Sequence, residues 1–212
     1  MAQVKICGVT TPEAIESAVS AGAAWLGFVF FAKSPRHLTM EAARTLAAQV
    51  PDGVGRVALT VDAEDTLLDA VEAAIAPTLW QLHGHETPAR VAAVREARGT
   101  PVMKSIGIGA EADLARIADY ATVADRLLID AKPAPGADLP GGNGLTFDWR
   151  LIAGRDWPRP WMLAGGLTAE TVATAVELTG AASVDVSSGV EAAPGRKDPA
   201  RIRAFIAAAH AA

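Results

Sequence analysis

The feature that most constrains this chain is a recurrence of short apolar runs. Eight of them, at residues 4–7, 25–30, 56–61, 78–82, 102–106, 126–130, 161–164 and 183–186, follow one another about every 25 residues through a 212-residue sequence. Each is a continuous hydrophobic stretch of strand length, as expected where both faces of a strand are covered. Between them lie amphipathic segments with helix-start signals. Thr10 with Glu13 makes a capping-box pattern, and Pro12 suits a first turn. Thr39, Thr87-Pro88 and Asp198-Pro199 read as further caps. Asp62 precedes an acidic first turn at Glu64 and Asp65, and Thr168 with Glu170 opens another helix. The sixth helix is short and starts near Phe147.

A strand, a helical crossover and another strand force parallel pairing, and such crossovers are nearly always right-handed. Eight such units in a chain of this length predict an α/β fold, a closed (β/α)8 TIM barrel of eight parallel strands. The alternative, an open doubly wound sheet, usually carries a glycine fingerprint after its first strand. Here the first turn reads Cys7-Gly8-Val9-Thr10, with no G-x-G-x-x-G. No linker, low-complexity tract or shift in composition divides the sequence, so residues 1–212 read as one barrel domain.

Half the residues are apolar, which a disordered chain does not support. The balance of 19 basic and 24 acidic residues gives −5 and argues against a general nucleic-acid binder. No apolar run is long enough for a membrane span, and the N-terminus enters a strand at once, with no secretory signal pattern. A single cysteine fits a reducing, cytoplasmic setting.

A barrel places function at the C-terminal ends of its strands and in the loops that follow. In this chain those positions hold Cys7, Lys33-Ser34-Pro35-Arg36, His83-Gly84, Asp130, Gly165-Gly166 and Ser187-Ser188-Gly189. Cys7, the lone thiol, reads either as a small core hydrophobe or as a reactive group. Gly165-Gly166 and Ser187-Ser188-Gly189 close strands seven and eight, the usual phosphate site of this fold, where backbone N–H groups and a short helix N-terminus favour an anion. The plainer alternative is that these glycines only make tight turns. Arg36 offers a planar fork to a carboxylate or phosphate, or is a solvated surface arginine. Asp130 closes an apolar strand, where burial favours a protonated acid, or it caps a loop. The stretch 131–144 is rich in proline and glycine, long for a βα loop, and reads as a substrate lid. His83-Gly84-His85 lacks a third ligand, so no metal site is expected. Lys104 lies inside a strand and reads as an ion-pair partner rather than a Schiff-base lysine.

Read together, these segments resemble the phosphoribosylanthranilate isomerases of tryptophan biosynthesis from end to end. The resemblance runs through Lys5-Ile6-Cys7-Gly8, Gly27-Phe28-Val29-Phe30 with Ser34-Pro35-Arg36, and Gln81-Leu82-His83-Gly84. It continues through Leu128-Ile129-Asp130, Gly141-Gly142-Asn143-Gly144, Phe147-Asp148-Trp149 and Leu163-Ala164-Gly165-Gly166-Leu167. It ends with Val184-Asp185-Val186-Ser187-Ser188-Gly189-Val190-Glu191, Pro194-Gly195 and Lys197-Asp198. Two positions depart from the pattern: Asn143 stands where threonine is expected, and Ala58-Leu59-Thr60-Val61 lacks an aromatic.

The resemblance implies an Amadori rearrangement of N-(5-phosphoribosyl)anthranilate, with Cys7 as general base and Asp130 as general acid. It implies Arg36 at the anthranilate carboxylate, Gly166, Ser188 and Gly189 around the phosphate, and Asp185 at sugar hydroxyls, with Gly165 and Ser187 of the same loops among the substrate-binding residues. A thiolate requires a depressed pKa, which nearby Lys5 or dipoles at the mouth are expected to help supply. The implied ligand is a small phosphorylated molecule, with no cofactor, no metal, no nucleic acid and no membrane, in a monomer or homodimer. Rival readings are an indole-glycerol-phosphate synthase, which wants a strand-end lysine and glutamates, and a dual-substrate aminoaldose isomerase, which wants an aspartate at position 7. A non-catalytic barrel that binds a phosphorylated ligand is the third.

Overall fold

A computed structural model of the chain describes residues 1–133, 136, 139, 141–142 and 144–212. Eight parallel strands close into a barrel in sequence order: β1 Gln3–Cys7, β2 Trp25–Phe30, β3 Gly55–Thr60, β4 Leu79–Leu82, β5 Val102–Ile108, β6 Arg126–Ala131, β7 Trp161–Leu163 and β8 Ser183–Val186. The helices are α1 Pro12–Ser20, α2 Met40–Ala47, α3 Asp65–Ile75, α4 Pro88–Arg98, α5 Arg116–Ala121, α6 Val172–Thr179 and α7 Pro199–Ala211. The predicted runs at 25–30 and 183–186 match their strands, and the others differ by one or two residues at an end.

The helix starts are less regular than the sequence suggests. Thr11, not Thr10, caps α1 by accepting from the Ala14 N–H, while the Thr10 hydroxyl donates to the Gly195 carbonyl. Residue 64 precedes α3 without a side-chain cap, and Asp62 instead accepts from the His85 N–H. Thr168 and Glu170 lie in a turn ahead of α6, which begins at Val172. The expected sixth helix is a single 3-10 turn, Trp149–Leu151. For Thr10, Asp62 and Thr168 a long-range or turn contact claims the group that a local pattern assigns to a helix start.

Strand parity sorts the core. Val4, Ile6, Leu26, Phe28, Trp80, Leu127 and Ile129 pack outward into the large cluster shared with the helices. Val57, Leu79, Met103, Leu128 and Met162 fill the lower barrel interior. Toward the C-terminal mouth the inward set becomes Cys7, Val29 and Leu59, with Phe31 and Val61 packed against them. Because inward positions alternate along each strand, the residue two places beyond an interior one also faces in. The same parity carries Lys5 to Cys7, Gln81 to His83, Leu128 to Asp130 and Asp185 to Ser187.

After β8 the chain makes a 3-10 turn, Ser188–Val190, and a small antiparallel hairpin, β9 Glu191–Ala193 and β10 Arg196–Lys197, before α7. No helix among the described residues is long and apolar enough to cross a membrane.

Candidate active site

One cavity opens at the C-terminal mouth of the barrel. Its lining includes Cys7, Arg36, Asp130, Gly165, Gly166, Asp185, Ser187, Ser188 and Gly189, the full set of site residues expected from the sequence. The structure therefore gathers positions spread over most of the chain into one compartment. Of the expected lid, Pro135, Pro140 and Asn143 lie outside the described residues, while Gly141, Gly142 and Gly144 line the cavity.

Cys7 is the last residue of β1 and is buried. Its neighbour across the ladder is Gly27. A side-chain carbon at Gly27 would stand 3.0 Å from the Cys7 sulfur and 3.1 Å from the Lys5 ammonium. The glycine is thus the space that the thiol and the lysine occupy. Burial pushes the Cys7 thiol above its ordinary range; Lys5 and Lys197 pull it down, and Asp185 pushes it up again. Lys5 thus lowers the thiol as the sequence-based expectation has it, but burial outweighs it and the net shift is upward. Lys5 sits within the barrel with its ammonium 2.8 Å from Asp185, whose opposite charge offsets part of its pull on the sulfur.

Asp130 enters from β6, nearly opposite in strand order. One carboxylate oxygen accepts from the following Ala131 N–H at 2.8 Å, and the other lies 3.4 Å from His83 Nε2. His83 Nδ1 is 2.8 Å from both the Gln81 amide nitrogen and the Ser105 hydroxyl. An amide nitrogen only donates, so with this Gln81 orientation Nδ1 is the acceptor and the ring proton sits on Nε2, facing Asp130. His83 is a neighbour of the carboxyl group; among the described residues no group of three or more His, Cys, Asp or Glu is placed to hold a metal ion.

The glycine loops present free backbone donors. Among the described residues, the N–H groups of Gly166, Ser188 and Gly189 meet no protein acceptor. They converge on the cavity from the loops after β7 and β8. The helix-dipole part of the expectation is weaker: only the 3-10 turn Ser188–Val190 follows β8, and α6 begins six residues after Gly166. Ser187 lines the cavity, but its hydroxyl donates to the Cys7 carbonyl at 3.1 Å and receives Lys197.

Arg36 is buried, not a solvated surface group. Its Nε and Nη2 donate to the two oxygens of Glu191 at 2.7 and 2.8 Å. Sequence reasoning gave Glu191 no role, because the pair spans the whole barrel closure. It also missed the apolar wall of Val29, Phe31, Leu59 and Val61, which strand parity along β2 and β3 could have found. Lys104 points out of the barrel and pairs with Glu86 at 2.7 Å, as the ion-pair reading expects.

The family model described as N-(5'phosphoribosyl)anthranilate (PRA) isomerase matches residues 4–208. The chain belongs to this family. It is 60% identical over 204 residues to the N-(5'-phosphoribosyl)anthranilate isomerase of Cereibacter sphaeroides, covering 96% of both chains. Its fold is similar to the crystal structure of phosphoribosyl anthranilate isomerase from Thermotoga maritima, with a TM-score of 0.89, 37% identity and full coverage of both chains. A further crystal structure of a phosphoribosyl anthranilate isomerase, in complex with reduced 1-(o-carboxyphenylamino)-1-deoxyribulose 5-phosphate, is similar at TM-score 0.84 and 34% identity, with full coverage of both chains.

Proposed function

We propose that this barrel carries out the isomerase reaction of its family in tryptophan biosynthesis with Cys7 and Asp130 as the proton-transfer pair. The observation that carries this reading is their shared cavity, entered from β1 and β6 beside three free backbone N–H groups. The substrate, N-(5'-phosphoribosyl)anthranilate, has a phosphate, a furanose and an aromatic carboxylate. The loops after β7 and β8 suit the phosphate. The wall of Val29, Phe31, Leu59 and Val61 suits the benzene ring, and Arg36 its carboxylate.

Asp130, protonated, gives its proton to the ring oxygen, and the C1–oxygen bond breaks to leave an iminium (protonated Schiff base) at C1. Cys7, as thiolate, removes the proton from C2, and the electron pair forms an enolamine. Protonation at C1 and loss of the hydroxyl proton at C2 then give the ketone of 1-(2-carboxyphenylamino)-1-deoxyribulose 5-phosphate. Each positioned proton transfer contributes roughly 10²–10⁴ in rate. Asp185 faces the cavity with one oxygen held by Lys5, which leaves the other for a sugar hydroxyl.

We read residues 1–212 as one domain, cytoplasmic, with a small phosphorylated molecule as ligand. The assembly is read as a monomer or a homodimer. A synthase of the indole-glycerol-phosphate type would want a lysine in the mouth, and no lysine is among the described lining residues. A dual-substrate aminoaldose isomerase would want an aspartate where Cys7 stands. The test is complementation of a tryptophan auxotroph that lacks this step, with Cys7→Ala as control. Growth with the wild-type chain and none with the variant is expected; equal growth would leave Cys7 out of the mechanism, and growth with neither would count against the reaction.

A further inference from the structure

Behind Arg36, away from the cavity, lies a buried charged cluster to which the mechanism assigns no role. Glu191, the first residue of β9, binds Arg36 through both oxygens, at 2.7 Å to Nε and 2.8 Å to Nη2. Lys197, from β10, clamps the same carboxylate at 2.9 Å to Oε1 and reaches the Ser187 carbonyl at 2.9 Å. The side chains of Glu191 and Lys197 are 4% and 1% exposed, and neither is among the cavity lining. Nη2 also approaches the Gly142 carbonyl at 3.3 Å, whereas Nη1 has no protein acceptor among the described residues. A guanidinium presents its donors in a rigid plane, so fixing one edge fixes the other.

We propose that Glu191 is a positioning residue for substrate selection: it holds the Nε/Nη2 edge of Arg36, so that the Nη1 side is the edge offered to the aromatic carboxylate of the ligand. This rests on the assignment of the anthranilate carboxylate to Arg36 and deepens it. A free arginine would grip a carboxylate with two parallel bonds along that same Nε/Nη2 edge. Here Glu191 already occupies it, and recognition runs end-on. The β9–β10 hairpin, which is additional to the eight βα units, therefore sets the direction of the selecting group without touching the ligand. Lys197 keeps Glu191 ionised: burial would raise its pKa, but the hydrogen bonds from Arg36 and Lys197 and their charges hold it below the usual range.

The experiment compares two substrates, N-(5-phosphoribosyl)anthranilate and N-(5-phosphoribosyl)aniline, which lacks the carboxylate, in wild type and Glu191→Gln. The glutamine has the same shape but loses the charge and turns an N–H toward a donor. The expected result is a KM for the carboxylated substrate raised about 10- to 100-fold, with kcat changed much less and the aniline KM changed less than threefold. An equal change for both substrates, or none, would overturn the inference. If Glu191→Gln does not accumulate in folded form, Glu191→Asp gives the same readout: it keeps the charge but loses reach, so the preference for the carboxylated substrate falls partway, and an unaltered preference overturns the proposal. A wild-type chain that turns over neither substrate would instead sink the isomerase reading.

Discussion

Lys5 and Asp185 meet at 2.8 Å inside the barrel, as direct neighbours across the β1–β8 ladder that closes it. They lie two residues before Cys7 and Ser187 on their strands, so this ion pair underlies the floor of the cavity. Removing one partner leaves an uncompensated charge where the Lys5 side chain is fully buried. Lys5→Met should therefore lower stability by about 3–5 kcal/mol, and replacement of both residues by apolar ones of similar volume should recover a large part of it. Denaturant unfolding of the single and double variants checks this; a single variant as stable as wild type would remove the pair from the account.

The thiol of Cys7 is raised mainly by burial. Alkylation of the ligand-free protein by iodoacetamide should therefore be slow near neutral pH and accelerate only above the titration of an ordinary thiol, at about 8.5. The stability consequence has a definite sign. The folded value lies above the unfolded one, so the contribution of the protonated thiol is complete below the unfolded titration and is lost as pH rises through the folded value. A plateau of fast alkylation at neutral pH would contradict this arrangement.

Gly27 is the space in which the sulfur and the Lys5 ammonium sit. Gly27→Ala should cost roughly 1–3 kcal/mol through overpacking and should depress turnover by displacing Cys7. Thermal melting with parallel kinetics separates the two effects. An alanine variant of full activity would mean that the strands adjust without moving the thiol.

The barrel was legible because its signal is redundant. Eight apolar runs at even spacing leave few alternatives, and errors at 78–82 or 161–164 of one residue do not change the topology. The helix caps were less legible because they turn on single hydrogen bonds. Thr10 and Thr11 are equally good caps in sequence, and only the docking of Gly195 onto Thr10 decides between them. The strand-end rule found Cys7, Arg36, Asp130 and the two glycine loops, since position along a strand fixes which end they occupy. It could not find Glu191 behind Arg36, 155 residues away, or the pairing of Lys5 with Asp185, 180 residues away. Those pairings exist only once the barrel closes, and closure also buries the thiol, which raises it against the pull of Lys5.

The central claim is that one sulfur and one carboxyl group act on one sugar. Its most direct measurement is the turnover of N-(5-phosphoribosyl)anthranilate by purified Cys7→Ala and Asp130→Asn, with binding of reduced 1-(o-carboxyphenylamino)-1-deoxyribulose 5-phosphate measured alongside. Each variant should lose roughly 10²-fold or more in kcat while still binding that ligand. Turnover close to wild type in either variant would contradict the account.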